Sequence, residues 1–232
     1  MTKPRLLLAL DSAGAACSAA VWADGGLAAR RFEPMARGQS ECLLPMIEAV
    51  MAEAGLDYPA LDAIAVTRGP GGFTGVRIGL ATARGLALAC GVPLVGLTNF
   101  EAVVSGVATD EAEGRSVAVA LDSKRHEIYL QAFDSEHEVL SAPGLIAPED
   151  VAAFLPSGPL LLVGDAAERL LESLSDRDCR LSAAPGLSDA GRIAALAAAR
   201  PLPGAGAPQP APLYLHAPDV TKPTASLRGV AP

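Results

Sequence analysis

The chain is poor in the side chains that most often carry chemistry or grip nucleic acid. Its 232 residues include only three histidines, His126, His137 and His216. Their spacing allows neither an HxxxH nor an HExxH pair, so a local histidine-rich metal centre is excluded and no metal site is expected. Four cysteines, Cys17, Cys42, Cys90 and Cys179, are scattered without a CxxC spacing. They read as small core residues of a reducing compartment. Basic residues are in the minority, 18 Lys and Arg against 26 Asp and Glu, for a net charge of −8. A protein that holds nucleic acid unaided needs a basic stripe to neutralise phosphates, and no Lys/Arg cluster supplies one. Any nucleic acid is therefore expected to be held by a partner. The first apolar run, Leu6 to Leu10, is cut off by Asp11, which is too short for a signal peptide or a membrane span. A cytoplasmic protein without membrane contact is the expectation.

What the chain does have is apolar material, at 50% hydrophobic and 19% charged residues, enough for a sizeable core. It also has an internal repeat. Ala9-Leu10-Asp11-Ser12 recurs 111 residues later as Ala120-Leu121-Asp122-Ser123, each copy after an apolar run and before a second strand-like run, Ser18 to Trp22 or Glu127 to Phe133. At the same offset Trp22 falls on Phe133, so the aromatic at the end of the second strand is expected to be kept. Each half then turns into a third extended stretch.

Both halves continue as α/β. Ser40 is a candidate N-cap for a helix carrying Leu43, Leu44, Ile47, Val50 and Met51 on one face, closed by Gly55. A buried-type strand, residues 63–67, leads through a glycine loop into a helix over 74–89. A short strand at 93–96 precedes a helix whose Thr98 and Glu101 form a capping box. The second half is sparser: a helix near 148–154, a strand at 160–163 and helices at 166–174 and 188–199. A Pro/Gly/Ala-rich linker over 200–212 and a short strand over 213–215 follow. The expected division is an N-terminal unit, 1–104, a C-terminal unit, 105–220, and a frayed tail, 221–232.

The stretch RGPGGFTGVRIGLATARGLALACG, residues 68–91, invites comparison with phosphate loops. The Walker pattern fails because the chain has no Gly-Lys pair, and GxGxxG fails from Gly69 because its last position is Thr74. A helix N-terminus that holds an anion remains open beside a plain strand-to-helix turn. Gly75, Gly79 and Ala83 recur every four residues as a smooth stripe, and each interior glycine costs about 1 kcal/mol relative to Ala. Close backbone packing has to offset that. The helix is apolar or small on nearly all sides, as expected of one covered by a sheet behind and another layer in front.

Two β-β-β-α-β-α halves describe an α/β, duplicated actin-like (ASKHA, ribonuclease H-like) fold with a reduced second half. In that superfamily strand-end aspartates face Mg²⁺ and nucleotide phosphates. Asp11 and Asp122 hold that position, and Lys124 follows in the second turn. They are candidates for a residual nucleotide site, against the alternative that both aspartates cap strand-end turns. The turn after Asp11 has no threonine or lysine poised for phosphate, so an efficient kinase or ATPase is not supported, and no catalytic residue is assigned.

The segment from Arg68-Gly69-Pro70-Gly71-Gly72-Phe73-Thr74-Gly75-Val76-Arg77 to Ile78-Gly79-Leu80-Ala81, followed by Gly85-Leu86-Ala87 and Pro93-Leu94-Val95-Gly96, resembles the signature of the TsaB (YeaZ) family. Leu8 to Ser12, Ser40-Glu41, Leu43-Leu44-Pro45, Asp122 to Tyr129 and Leu213-Tyr214-Leu215 support the resemblance. Gly72 stands where the family more often has serine, and Gln39 where it has histidine. The resemblance implies a cytoplasmic, non-catalytic scaffold in the formation of threonylcarbamoyladenosine (t6A) at position 37 of tRNA. It implies dimerisation with the catalytic paralogue TsaD, docking of the ATPase TsaE, a homodimer in isolation and indirect contact with tRNA. ATP or ADP with Mg²⁺, at low affinity or at the heterodimer interface, is the implied cofactor. On helix-face reasoning the contacts are expected from Leu43, Leu44, Ile47, Met51, Val76, Gly79, Leu80 and Ala83. The competing reading is an enzyme of the same superfamily, an ATP-dependent phosphotransferase or a metallopeptidase, and the peptidase form falls on the missing histidine pair.

Overall fold

The computed structural model describes residues 5–204 and 206–216. The first half runs β1 (Leu7–Asp11), β2 (Ala16–Ala23), β3 (Gly26–Pro34), α1 (Gln39–Glu53), β4 (Ala63–Thr67), α2 (Phe73–Cys90), β5 (Leu94–Leu97) and α3 (Asn99–Val104). The second runs β6 (Ser116–Asp122), β7 (Ile128–Phe133), β8 (Gly144–Ile146), α4 (Val151–Phe154), β9 (Leu160–Val163), α5 (Ala167–Glu172) and β10 (Cys179–Leu181), and α6 (Ala190–Ala199) is the last element among the described residues. The sheets are ordered β3-β2-β1-β4-β5 and β10-β9-β6-β7-β8, one pattern used twice. In each, an antiparallel meander is extended by parallel strands reached through helical crossovers. This is the duplicated actin-like, ribonuclease H-like fold.

The first sheet is buried on both faces, which explains why β1 and β4 are unbroken apolar runs. Because side chains alternate along a strand, Leu8, Leu10, Ile64 and Val66 face α1 and α2, while Leu7, Ala9, Ala63 and Ala65 face the other way. That second face is covered by α6, whose Ala190, Ile193, Ala194 and Ala197 pack on it. Alanine on both sides lets helix and sheet approach closely. The boundary near 105 therefore separates the two sheets, but α6, from beyond that boundary, completes the first core.

Several expectations are met at the level of elements. Thr98 and Glu101 form the capping box of α3, and Gly55, just past the end of α1, is left-handed at φ 64°. Others need correction. Gly38, not Ser40, stands at the N-cap of α1, and no side chain caps that end. Ser40 lies inside the first turn, since Gly38 in a left-handed conformation already starts the helix at Gln39. Residues 213–215 form no strand; the Leu213 N–H instead donates to the Arg68 carbonyl at 2.7 Å. Strand β10 spans only three residues, Cys-Arg-Leu, too few to show an alternating pattern in the sequence.

The repeat is also subtler than its fixed offset. Asp11 pairs with Ser18 but Asp122 with Ile128, so the second turn is one residue shorter. Trp22 pairs with Leu7, whereas Leu7's counterpart Ala118 pairs with Ala132, which leaves Phe133 one step beyond equivalence. The expected tail, 221–232, lies outside the described residues. All four cysteines are free, and burial pushes the Cys17 thiol up to about 12, in keeping with an inert core residue. Among the described residues no helix is long and apolar enough to cross a membrane.

Candidate functional site: the cleft and the outer helix face

The residues singled out for function lie in two places: the cleft between the halves and the helix pair α1/α2. The cleft begins at the end of β1. Asp11 is 1% exposed, and its Oδ1 accepts hydrogen bonds from the Ala13 N–H at 3.0 Å and from the Thr67 hydroxyl. The Asn99 amide lies 3.4 and 3.5 Å from its two oxygens. The turn that follows is held down by α2. Ser12 Oγ donates to the Gly75 carbonyl at 2.9 Å, and the Gly72 N–H donates to the Ala13 carbonyl at 2.8 Å. A Cβ on Gly75 would overlap the Ser12 carbonyl, and one on Gly71 the Ala13 carbonyl. Gly71, Gly72 and Gly75 thus seat the β1–β2 turn on the start of α2, and the Ser12 hydroxyl and Ala13 carbonyl are engaged in that contact.

In the second half, Asp122 is surrounded by its own cations. Lys124 Nζ is 2.6 Å from Oδ2, the Lys124 N–H donates to Oδ1 at 2.9 Å, and Arg169 Nη1 approaches Oδ1 at 3.3 Å. Burial alone would raise the Asp122 carboxyl, but the Lys124 hydrogen bonds and the charges of Lys124 and Arg169 hold it below the ordinary range. The hydrogen bond to Asp122 raises Lys124 in turn. Asp165, which accepts the Asp122 N–H at 2.8 Å, is pushed up by burial.

The cavity between the halves is about 770 Å³ and is lined by the β1–β2 turn, the start of α1, the glycine loop, Asp122, Lys124 and Asp165. Asp11 is not part of its wall. A magnesium nucleotide held by both strand-end aspartates does not fit these residues, because Asp11 is buried with its oxygens engaged and Asp122 is already neutralised. Among the described residues no group of three or more His, Cys, Asp or Glu is placed to hold a metal ion.

The helix pair also departs from expectation. Leu43, Ile47, Met51, Val76, Gly79, Leu80 and Ala83 are buried within the chain itself, packed between the helices and the first sheet. They cannot meet a partner, because the strongest apolar stripe of each helix turns to its own sheet. Of the eight expected contacts only Leu44 is exposed, at 51%. The outward face of α2 carries a second seam, Thr74, Ile78, Ala81, Gly85 and Leu88, spaced alternately four and three residues apart. Leu88 is 85% exposed, and a Cβ on Gly85 would meet open space. The apolar character of α2 on nearly all sides was the signal for this seam.

A family model described as TsaD, tRNA N6-adenosine threonylcarbamoyltransferase, matches residues 33–168. The solved structure of YeaZ from Pseudomonas aeruginosa is 31% identical, with a TM-score of 0.72, over 83% of this chain and 90% of that one. The chain belongs to the TsaB/YeaZ family. A further Pseudomonas aeruginosa structure, described as similar to peptidase YEAZ, matches this TsaB/YeaZ member at 29% identity and a TM-score of 0.78, over 91% of this chain and all of that one. The tRNA threonylcarbamoyladenosine biosynthesis protein TsaB of Escherichia coli is 37% identical over 123 residues, which is 53% of this chain and 52% of that relative. The chain thus spans about half the length of the curated TsaB relatives it matches.

Proposed function

We propose that this chain is a non-catalytic subunit in the formation of threonylcarbamoyladenosine on tRNA, and that it acts by pairing with a TsaD-type transferase. The observation that carries the reading is the outward seam of α2, where Thr74, Ala81, Gly85 and Leu88 are exposed and Ile78 is half-buried, together with exposed Leu44 of α1. Small residues at heptad-like spacing admit a second helix closely. The net charge of −8 supports the same division of labour, in which tRNA is gripped by the partner and reached only indirectly. In isolation the same face closes a homodimer, TsaE docks on the heterodimer, and the complex works in the cytoplasm.

Co-elution of this chain with its own TsaD homologue on size-exclusion chromatography, followed by a reconstituted threonylcarbamoyl transfer assay, tests the reading. The native chain is expected to form the complex and to be required for transfer. Gly85→Leu is expected to fold normally, since nothing surrounds that position, and to abolish both complex and transfer. Transfer at full rate without this chain would sink the proposal.

A further inference from the structure

A much smaller cavity, of about 30 Å³, adjoins the open cleft between the halves. Asn99 at the start of α3 and Ser188, two residues before α6, stand in its wall with Asp122 and Asp165. Gly71, Asp122 and Asp165 line the cleft as well, so the cavity is reached from there. Its size suits one or two occupants no larger than water. The wall is pinned in place. A Cβ on Gly164 would overlap the Ala120 carbonyl, and one on Gly186 the Gly164 carbonyl, so the turn that carries Asp165 is wedged between β6 and the segment leading to Ser188.

Two oxygens of this wall are left over. Asn99 is 3% exposed and Ser188 6%, and Asn99 Oδ1 and Ser188 Oγ are buried without a hydrogen-bond partner among the described residues. Buried polar atoms are nearly always paired, and leaving one unpaired costs the desolvation of that group. The direction of the Asn99 amide has a cause. Its Nδ2 lies 3.4 and 3.5 Å from the two oxygens of Asp11, which is not in the cavity wall, so Oδ1 is turned away from Asp11. The charges nearby call for a cation. Asp11, Asp122 and Asp165 lie on or behind the wall, whereas Lys124 and Arg169 are both spent on Asp122. Asp165 makes no ion pair among the described residues. Two neutral oxygens and one free carboxylate suit a singly charged ion, since divalent ions take more carboxylates.

We propose that this cavity binds one alkali cation, sodium or potassium, held by Asn99 Oδ1, Ser188 Oγ and the carboxylate of Asp165. The ion ties α3 of the first half to the β9–α5 turn of the second. The site is separate from the helix seam, so it stands whether or not the chain pairs with a transferase.

Thermal midpoints of the full chain in potassium, sodium and tetramethylammonium nitrate at equal ionic strength test this, with thallium(I) NMR as a direct reading of binding. Potassium or sodium is expected to raise the midpoint saturably, by about 2–4 °C over tetramethylammonium, which is too large for the cavity. Thallium(I) should give a shifted or broadened resonance that the stabilising alkali ion displaces. Ser188→Ala changes no charge and is expected to lose both the ion-specific rise and the thallium signal. Asp165→Asn should lose them too, and it decides the matter if Ser188→Ala fails to fold. Glu113→Gln, at an exposed position outside the cavity, should keep both. Equal midpoints in the three salts, as a buried water alone would give, would overturn the proposal. So would an undiminished rise in a folded Ser188→Ala or Asp165→Asn chain, or an equal loss in Glu113→Gln, which would mark general screening.

Discussion

At Gly75 and Gly85 the same residue type in one helix has opposite meanings. A side chain on Gly75 has nowhere to go, because the Ser12 carbonyl fills its place. Gly75→Ala is expected to destabilise the chain by about 1–3 kcal/mol, the usual range for overpacking, read from urea unfolding. Gly85 faces open space, so Gly85→Ala should stabilise the isolated chain by about 0.5–1 kcal/mol through helix propensity alone. Equal effects at the two positions would contradict the packing described. The requirement for close approach was legible in the four-residue spacing, but its object, a turn sixty residues earlier, was not.

Glu101 gives a residue-level prediction about pH. Burial raises its carboxyl, but hydrogen bonds from the Thr98 N–H at 2.6 Å and Arg200 Nη2 at 2.7 Å outweigh this and bring it below its ordinary value of 4.5. A carboxylate with a lowered folded-state value contributes stability that is present above the unfolded value and lost as pH falls through the folded one. Stability is thus expected to decline below about pH 4.5 in part through this group. Glu101→Gln should flatten that part of the curve and lower stability at neutral pH, measured as denaturant midpoints across a pH series.

At the scale of the element, α1 and α2 are two-faced. Their strongest apolar stripes were legible from periodicity, and those stripes serve the fold: Leu43→Ala is expected to cost about 2–5 kcal/mol in the isolated chain, as truncations of buried leucine do. We propose the weaker outward seam as the face for association. Leu88→Glu should leave the thermal midpoint nearly unchanged, since the side chain is 85% exposed, yet prevent co-elution with the TsaD homologue. If Leu88→Glu unfolds the chain while Leu43→Ala does not, the two faces have been assigned the wrong way round. Sequence reasoning chose the stripe with the larger apolar content, and a helix on a sheet gives that stripe to the sheet.

For the whole molecule, the consequential feature is the return of the chain's last third to its first. α6 covers the back of the first sheet, and the segment beyond it runs along α2: Arg84 Nη2 reaches the Pro210 carbonyl at 2.6 Å, Arg77 Nε the Tyr214 hydroxyl at 3.0 Å, and Leu213 the Arg68 carbonyl. The Pro/Gly/Ala-rich composition of 200–212 implies a linker, and regular structure is lacking among its described residues, which are half-buried or exposed, with Pro210 set against Gly96. A chain ending at Pro203 should lose about 2–3 kcal/mol with these hydrogen bonds, a fall of roughly 5–10 °C in thermal midpoint, relative to one ending at His216. Equal midpoints would mean that this segment adds nothing to the fold.

The sequence by itself determined the local and the repeated. Alternating and 3.6-residue patterns set the strands and helices, Thr98 and Glu101 the start of α3, the Ala-Leu-Asp-Ser repeat the doubled architecture, and the signature at 68–91 the family. Tertiary structure alone decided which neighbour each pattern meets. It buried Asp11 away from the cleft, turned the main stripes of α1 and α2 inward, shortened the second turn by a residue and carried α6 back to the first sheet. It also set the Arg192 head group against the Cα of Gly106. Periodicity orients a side chain relative to its own element, whereas burial, pairing and exposure depend on atoms brought in from distant parts of the chain.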